Sequence, residues 1–482
     1  MLPLEIRRFL AEPDRMIPRL MGSAVVWSWG FNLLRLAAGV ILLPLVLRLF
    51  TKSELGMYYV LLSVSALGPV LDFGFSGTIM RFLGYAVSGA ESLQAKGFVP
   101  LSKPSGPNHT LLWQLFFAAR RLYGFISLGV VVVAAVWGIY LVNLGIEEMP
   151  SPLITWLALA VTVAAAGLDI HSMWGVVYLR GLNDVLTATR LSFYAATVRL
   201  GLAAILLLSG MGLLSLPLGS LCASFLLLIL SRRICRRRLD ATRKPEKTET
   251  GSVLRILWPN SWRLGLQLLS GYLTFNANTA ICLHVFGLGG NARYGLSVQL
   301  VNIIAGMANV WVFVKWPLIV QARAKEDHAT IRSLLSHRLW LQILTFLAGA
   351  VPLLLVGPWL IPRLGTGKEL LPLLWLALLA LTVLLDSQFS VWGTLFSTGN
   401  IIPSLWPVVI TNVASLLLSI ALISFTTLGL GGLVLGPLIA GLAFNYWYWP
   451  LAGARSLHTS YWRFLALGLG ANKQTATPPS NS

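Results

Sequence analysis

The sequence predicts an all-α, polytopic membrane protein: about 12 transmembrane helices, at roughly 30–40 residues per span and connection, in two pseudo-symmetric six-helix lobes. Three observations carry that prediction. Of the 482 residues, 56% are hydrophobic and only 11% charged, with a mean hydropathy of +0.76, whereas soluble domains carry roughly 25% charged residues. Apolar runs long enough to cross a bilayer, about 20 residues each, recur along the whole chain. Of the 36 Lys and Arg, 26 fall on one side of the spans that these runs define, against 5 on the other and 5 within them. A soluble protein is excluded, and no stretch remains in which a separate catalytic domain would bury its own core.

Taken in order, residues 1–20 set Arg7, Arg8, Arg15 and Arg19 beside Ile6, Phe9, Leu10 and Ile17. That pattern is either a short helix in the membrane interface or a basic tail. No cleavable signal peptide is read, because the first apolar run is too long for an h-region and lacks a small-residue cleavage site. Spans are predicted at 23–49, 55–84, 118–144, 152–180, 187–209 and 213–231, a first lobe over 1–231. A Pro/Gly/Ser-rich loop at 85–117, with Ala95–Pro107 at its centre, separates the second and third. Residues 232–256 form a basic cytoplasmic linker that opens with Arg232-Arg-Ile-Cys-Arg-Arg-Arg238. Such a run either anchors topology or binds anionic headgroups. The second lobe spans 257–454, with helices at 257–283, 293–320, 338–361, 370–398, 402–426 and 430–454, and 455–482 is a cytoplasmic tail.

Charge placement fixes the orientation. With the N-terminus inside, only Arg48, Lys52, Arg293, Arg363 and Lys368 lie on the outer side, and Arg35, Arg81, Arg199, Arg263 and Lys315 lie within spans. All other basic residues are cytoplasmic, as the positive-inside rule requires for an even number of spans with both termini inside. The formal charge of +19 therefore reads as basic cytoplasmic loops rather than nucleic-acid binding.

Weak self-similarity supports the two lobes. One shift lays Ser63-Val64 on Ser297-Val298 and Arg81 on Lys315; a slightly shorter one lays Trp174-Gly175 and Gly181 on Trp392-Gly393 and Gly399. The long 85–117 loop absorbs the difference. Parallel repeats about an axis along the membrane normal have this signature.

Ionisable residues inside spans are costly and are functional candidates by default. Arg35, Asp72, Asp169, Arg199 and Asp386 form a deep layer, roughly 16–20 Å from the cytoplasmic helix ends at about 1.5 Å per residue. Arg81, Arg263 and Lys315 form a shallow layer that either faces the mouth of an inward-open cavity or snorkels to lipid phosphate. The pairs Arg35/Asp72 and Asp169/Arg199 are either structural ion pairs or parts of a substrate site; Asp386 is left over and is a candidate for coupling to an ion gradient or for capping a helix. Asn276 and Asn278 either line the cavity or bond across helices. Gly74 and Gly77 are expected to loosen the helix between Asp72 and Arg81. The histidines His171 and His284 read as ordinary polar positions. Cys222, Cys235 and Cys282 have no metal or redox spacing. No catalytic residue, metal site or cofactor is expected, and no P-loop or dinucleotide-binding glycine run is present.

The run Leu45–Tyr59, with Glu54-x-Gly56-x-Tyr58, followed by Leu71-Asp-Phe-Gly through Arg81, resembles the opening of the polysaccharide-biosynthesis flippases. Ala292-Arg-Tyr-Gly-Leu-Ser-Val-Gln-Leu300 resembles its counterpart in the second half. The family belongs to the multidrug/oligosaccharidyl-lipid/polysaccharide exporter superfamily. The resemblance implies two six-helix lobes, alternating access, and flipping of undecaprenyl-diphosphate-linked oligosaccharide across the inner membrane beside polysaccharide polymerase machinery. A substrate-binding set of Arg35, Arg81, Arg199, Arg263, Lys315, Asn276 and Asn278 follows, with Asp72, Asp169 and Asp386 coupling transport to an ion. The alternatives are a multidrug cation exporter of the same fold, or a membrane polymerase or glycosyltransferase. The second is disfavoured by short external connections in which Glu147-Glu148 is the one acidic pair.

Overall fold

The computed structural model describes residues 24–90, 107–240, 261–263, 265–272, 276–324, 326–363, 367–397 and 405–470. Among these the regular structure is helical throughout, and ten helices are long and apolar enough to cross a membrane. The chain divides into two compact units. One takes residues up to Phe50 and Val60–Leu268; the other takes Thr51–Tyr59 and the chain from Leu269 onward.

In the first unit the order is α1 (Ala24–Leu49), α2 (Lys52–Ser65, whose first half belongs to the second unit), a short α3 (Leu67–Leu71), α4 (Phe75–Val87), α5 (His109–Gly145), α6 (Pro152–Gly181), α7 (Val185–Leu208) and α8 (Ser215–Asp240). Central α6 packs against α4, α5, α7 and α8. Its buried face carries Trp174 and Tyr178, which meet Phe116 of α5 edge-on at 5.2 and 5.3 Å between ring centroids. Polar caps start the helices where the sequence turns polar: Asn108 accepts from the Leu111 N–H at 3.1 Å, and Asp184 from the Thr187 N–H at 3.3 Å.

The second unit contains α9 (Ala277–Phe313), α10 (Trp316–Ala324), α11 (His328–Ile361), α12 (Leu373–Ser397), α13 (Leu405–Phe425), α14 (Gly431–Ala443), α15 (Asn445–Ser456) and α16 (Tyr461–Gly470). Its core gathers Leu335, Leu339, Trp392, Trp449 and Phe464, with Trp392 edge-on to Phe464 at 5.1 Å. Trp174 and Trp392, aligned by the repeat, are the largest fully buried side chains of their respective units among the described residues.

Several boundaries differ from the sequence expectation, each for a local reason. The expected loop at 85–117 ends in helix: α5 begins at His109, because Asn108 caps it and Trp113, Phe116 and Phe117 pack as an aromatic cluster. The basic run 232–238 continues α8. The expected connection between spans seven and eight shrinks to one residue, Gly287, at φ 66° and ψ −170° inside α9. Only glycine adopts that conformation without strain. The eighth span breaks at Val314-Lys315, where Pro317 of α10 lacks an N–H to continue the ladder and its ring crowds the carbonyl of Phe313. The last expected span is two short helices, broken at Phe444 (φ −149°, ψ −59°). Within the expected tail, α16 folds onto α11, burying Phe464 and accepting the Trp340 indole N–H at Leu465 O, 2.8 Å.

Candidate substrate and coupling site

In the first unit Asp72 closes α3 and opens α4. The backbone turns left-handed at Phe73 (φ 49°) and Gly74 (φ 70°), so the expected loosening of this helix is a break. The Asp72 carboxylate, 7% exposed, accepts from the Ser76 hydroxyl at 2.8 Å and N–H at 3.4 Å, and from the Tyr123 hydroxyl of α5 at 2.7 Å. It therefore caps α4 and ties it to α5. Arg35 lies in α1, but its side chain, and hence the expected Arg35–Asp72 pair, lies outside the described residues.

The second deep pair is formed. Arg199 Nη2 of α7 meets Asp169 Oδ1 of α6 at 2.7 Å, and the Ser224 hydroxyl of α8 donates to the same oxygen at 2.8 Å. Their side chains are 45% and 39% exposed, so this three-helix junction is half-exposed.

Of the shallow layer, Arg81 and Arg263 are exposed and are brought onto adjoining segments. Ser261 contacts the start of α4, where it shares a hydrogen bond with Thr78 at 3.4 Å. Arg81 and Arg263 each lie within one helical turn of that bond. Each guanidinium stands over its neighbouring ring, Phe82 at 5.6 Å and Trp262 at 5.7 Å. Among the described residues neither carries an ion pair. Lys315, in the second unit, is half-buried in the turn before α10 and likewise has no ion pair among the described residues.

The second unit holds the remaining candidates. Asn278 is fully buried; its amide donates to Leu433 O at 3.3 Å and to the Tyr294 hydroxyl at 3.5 Å, a bond across helices rather than a cavity-lining group. Asn276 is half-buried at the start of α9 and makes no side-chain cap there. Asp386 of α12 is half-buried, close enough to Tyr446 to interact electrostatically. Among the described residues no hydrogen bond or ion pair to its carboxylate is present. Two residues on, Gln388 donates to Gln342 of α11 at 3.0 Å, and Gln342 donates to Asn309 of α9. This amide ladder was not singled out in sequence; its signal was simply Asn and Gln inside apolar runs, which in hydrocarbon must find partners.

Of the segments that carried the family resemblance, Thr51–Tyr59 and Ala292–Leu300 meet inside the second unit. Thr51 and Glu54 cap α2 reciprocally, Thr51 N–H to Glu54 Oε2 at 2.8 Å and Glu54 N–H to Thr51 Oγ1 at 3.2 Å. Gly56 then sits directly against the backbone of Leu288, and its carbonyl accepts from buried Asn291 at 2.8 Å. The Tyr59 hydroxyl donates to Gln299 at 2.6 Å while its ring lies on Gly295. The glutamate, glycine and tyrosines of the motif are thus a cap, a close approach and an anchor.

These features define an all-helical fold in two compact units, a fold shared with solved membrane transporters. A solved inward-facing structure of a multidrug resistance MATE family transporter of the MOP superfamily matches with TM-score 0.60 and 16% identity, covering 93% of this chain and 96% of that one. An outward-facing structure with the same family description matches with TM-score 0.54 and 14% identity, over 93% and 98%. A MATE in the straight conformation gives TM-score 0.54 and 16% identity, over 92% and 96%. No family model and no curated protein matches the sequence.

Proposed function

We propose that this chain flips undecaprenyl-diphosphate-linked oligosaccharide across the cytoplasmic membrane by alternating access, in polysaccharide or O-antigen export. The observation that supports this reading is the pair Arg81 and Arg263: exposed, on adjoining segments, and without carboxylate partners among the described residues. A diphosphate dianion is the ligand such unneutralised guanidinium groups favour, since charge-assisted hydrogen bonds are the strong ones. Lys315, aligned with Arg81 by the repeat, supplies the equivalent charge in the second unit. The half-exposed Asp169–Arg199 junction is read as the sugar-facing wall, and Asp386 as the ion-coupling group. Arg35, Asn276, Asn278 and Asp72 complete the set in supporting roles. Both termini are placed in the cytoplasm, with membrane lipids and polysaccharide polymerase machinery as partners; no nucleic acid, catalytic step or cofactor is assigned.

One observation favours a second reading, export of organic cations: the solved transporters of this fold carry a multidrug resistance description. A cation site needs unneutralised acids; Asp169 is neutralised by Arg199, whereas Asp386 has no ion pair among the described residues. Reconstituted vesicles separate the two. Translocation of a fluorescent polyprenyl-diphosphate glycan, reduced in Arg81→Gln, Arg263→Gln and Lys315→Gln while insertion is unchanged, supports flipping. Wild-type rates in all three variants, or ethidium transport without glycan transport, overturn it.

A further inference from the structure

His171 reads in sequence as an ordinary polar position, yet the fold surrounds it with arginines. It lies on α6 between Arg232 of α8, whose Nη2 is 3.5 Å from His171 Nε2, and Arg120 of α5, which is within electrostatic reach of both. Arg236, one turn beyond Arg232, adds a fourth basic group. Among the described residues no carboxylate pairs with any of them; the neighbouring ion pair is Arg238 with Asp184. The Nε–H of Arg232 is buried without an acceptor. Like charges gathered from three helices destabilise one another unless an anion joins them.

The level of the cluster identifies the anion. Residues 122–145 of α5, and the run 212–231 that leads into and through most of α8, contain no charged side chain. At about 1.5 Å per residue either stretch crosses a hydrocarbon layer of roughly 30 Å. Arg120 and Arg232 stand at the same-side ends of those stretches, where headgroup phosphates lie. The same helices continue as an apolar surface, with Phe125 58%, Leu128 63% and Phe225 56% exposed, suited to acyl chains.

We propose that Arg120, His171 and Arg232 form a binding site for the phosphate headgroup of an anionic membrane lipid, distinct from the Arg81/Arg263 pair and independent of the transported substrate. The phosphate oxygens accept from both guanidinium groups and from the imidazole, and the acyl chains lie along Phe125 and Leu128. The test is native mass spectrometry of the full chain in detergent titrated with dioleoylphosphatidic acid, with dioleoylphosphatidylcholine and inorganic phosphate in parallel. Phosphatidic acid is expected to bind in preference to phosphatidylcholine. Arg120→Gln, His171→Gln and Arg232→Gln should each weaken it about five- to tenfold, the loss of one charge-assisted hydrogen bond; Arg237→Gln, with the same change in charge on the exposed end of α8, should change it less than twofold. Equal binding in all variants overturns the site, and displacement of the lipid by inorganic phosphate overturns the lipid assignment. A wild-type measurement that needs no variant to fold is phenylglyoxal modification: vesicles of phosphatidylcholine containing phosphatidic acid should shield Arg120 and Arg232 but not Arg237, relative to phosphatidylcholine alone. Uniform shielding, or none, overturns the proposal.

Discussion

Replacing Gly56 by alanine tests whether the glutamate–glycine–tyrosine segment is a packing device. A methyl group there would overlap the Leu288 carbonyl oxygen and stand 2.8 Å from its carbon and 3.0 Å from its Cα. Carbon atoms in contact normally stand about 3.5–4.0 Å apart, so α2 and α9 must part by about 1 Å. Backbone cannot swing aside as a side chain can, and overpacking of this kind costs about 1–3 kcal/mol. The same movement stretches the 2.8 Å bond from Asn291 to Gly56 O beyond hydrogen-bonding range, and Asn291 is wholly buried. In a membrane interior that loss adds about 1–2 kcal/mol. The two effects share one displacement and do not add fully, so the expected destabilisation is about 2–4 kcal/mol. Unfolding in detergent can be followed with a thiol-reactive dye in a Cys222→Ser background, since Cys235 and Cys282 are buried and Cys222 is exposed. Gly84→Ala is the control: nothing lies within 4 Å of its added methyl, and alanine inside a helix should stabilise by about 0.5–1 kcal/mol. If Gly56→Ala unfolds at the same temperature as Gly84→Ala, the close approach is not what the glycine supplies.

Further perturbations follow from single contacts. Tyr123→Phe removes the donor from buried Asp72 and should destabilise by about 1.5–3 kcal/mol, measured by the same dye; an unchanged midpoint would mean Asp72 is satisfied by Ser76 alone. Arg199→Lys keeps the charge but loses the planar fork toward Asp169; because the pair is half-exposed, its stability cost should stay within about 1 kcal/mol, and transport should fall more than the midpoint does. Burial pushes the Lys368 ammonium down to about 8, against the opposing pull of the Glu54 carboxylate. Its folded-state value lies below its unfolded one, so between about pH 8 and 10.5 the unfolded chain holds the extra proton and stability rises with pH. Lys368→Met should abolish that rise in midpoint, and a rise that persists would place it on another group. Asp386→Asn should make glycan transport insensitive to an imposed proton or sodium gradient while wild type responds; equal responses would remove Asp386 from the coupling role.

The sequence by itself determined what the bilayer dictates. Hydrocarbon admits only long uncharged helices, so composition and run length alone yield an all-helical, multi-pass chain, and the Trp174/Trp392 match marks one buried aromatic in each unit. Local signals were also readable: the Asp169–Arg199 pairing followed from equal depth on consecutive antiparallel helices, and a loosening between Asp72 and Arg81 from Gly74 and Gly77, which the structure makes a full break at Phe73-Gly74. What the tertiary structure decided were the contacts between residues far apart in the chain. No periodicity indicates that residues 51–59 pack with the second unit, that Tyr123 reaches Asp72, or that Asn309, Gln342 and Gln388 form one ladder. Helix ends differed for a related reason. Hydropathy averages over a window, whereas Gly287, Pro317 and Phe444 act at single residues through backbone geometry. His171 shows the same limit at a potential site: its chemistry comes from Arg120 and Arg232, and only the packing of α5 and α8 on either side of α6 brings those charges together.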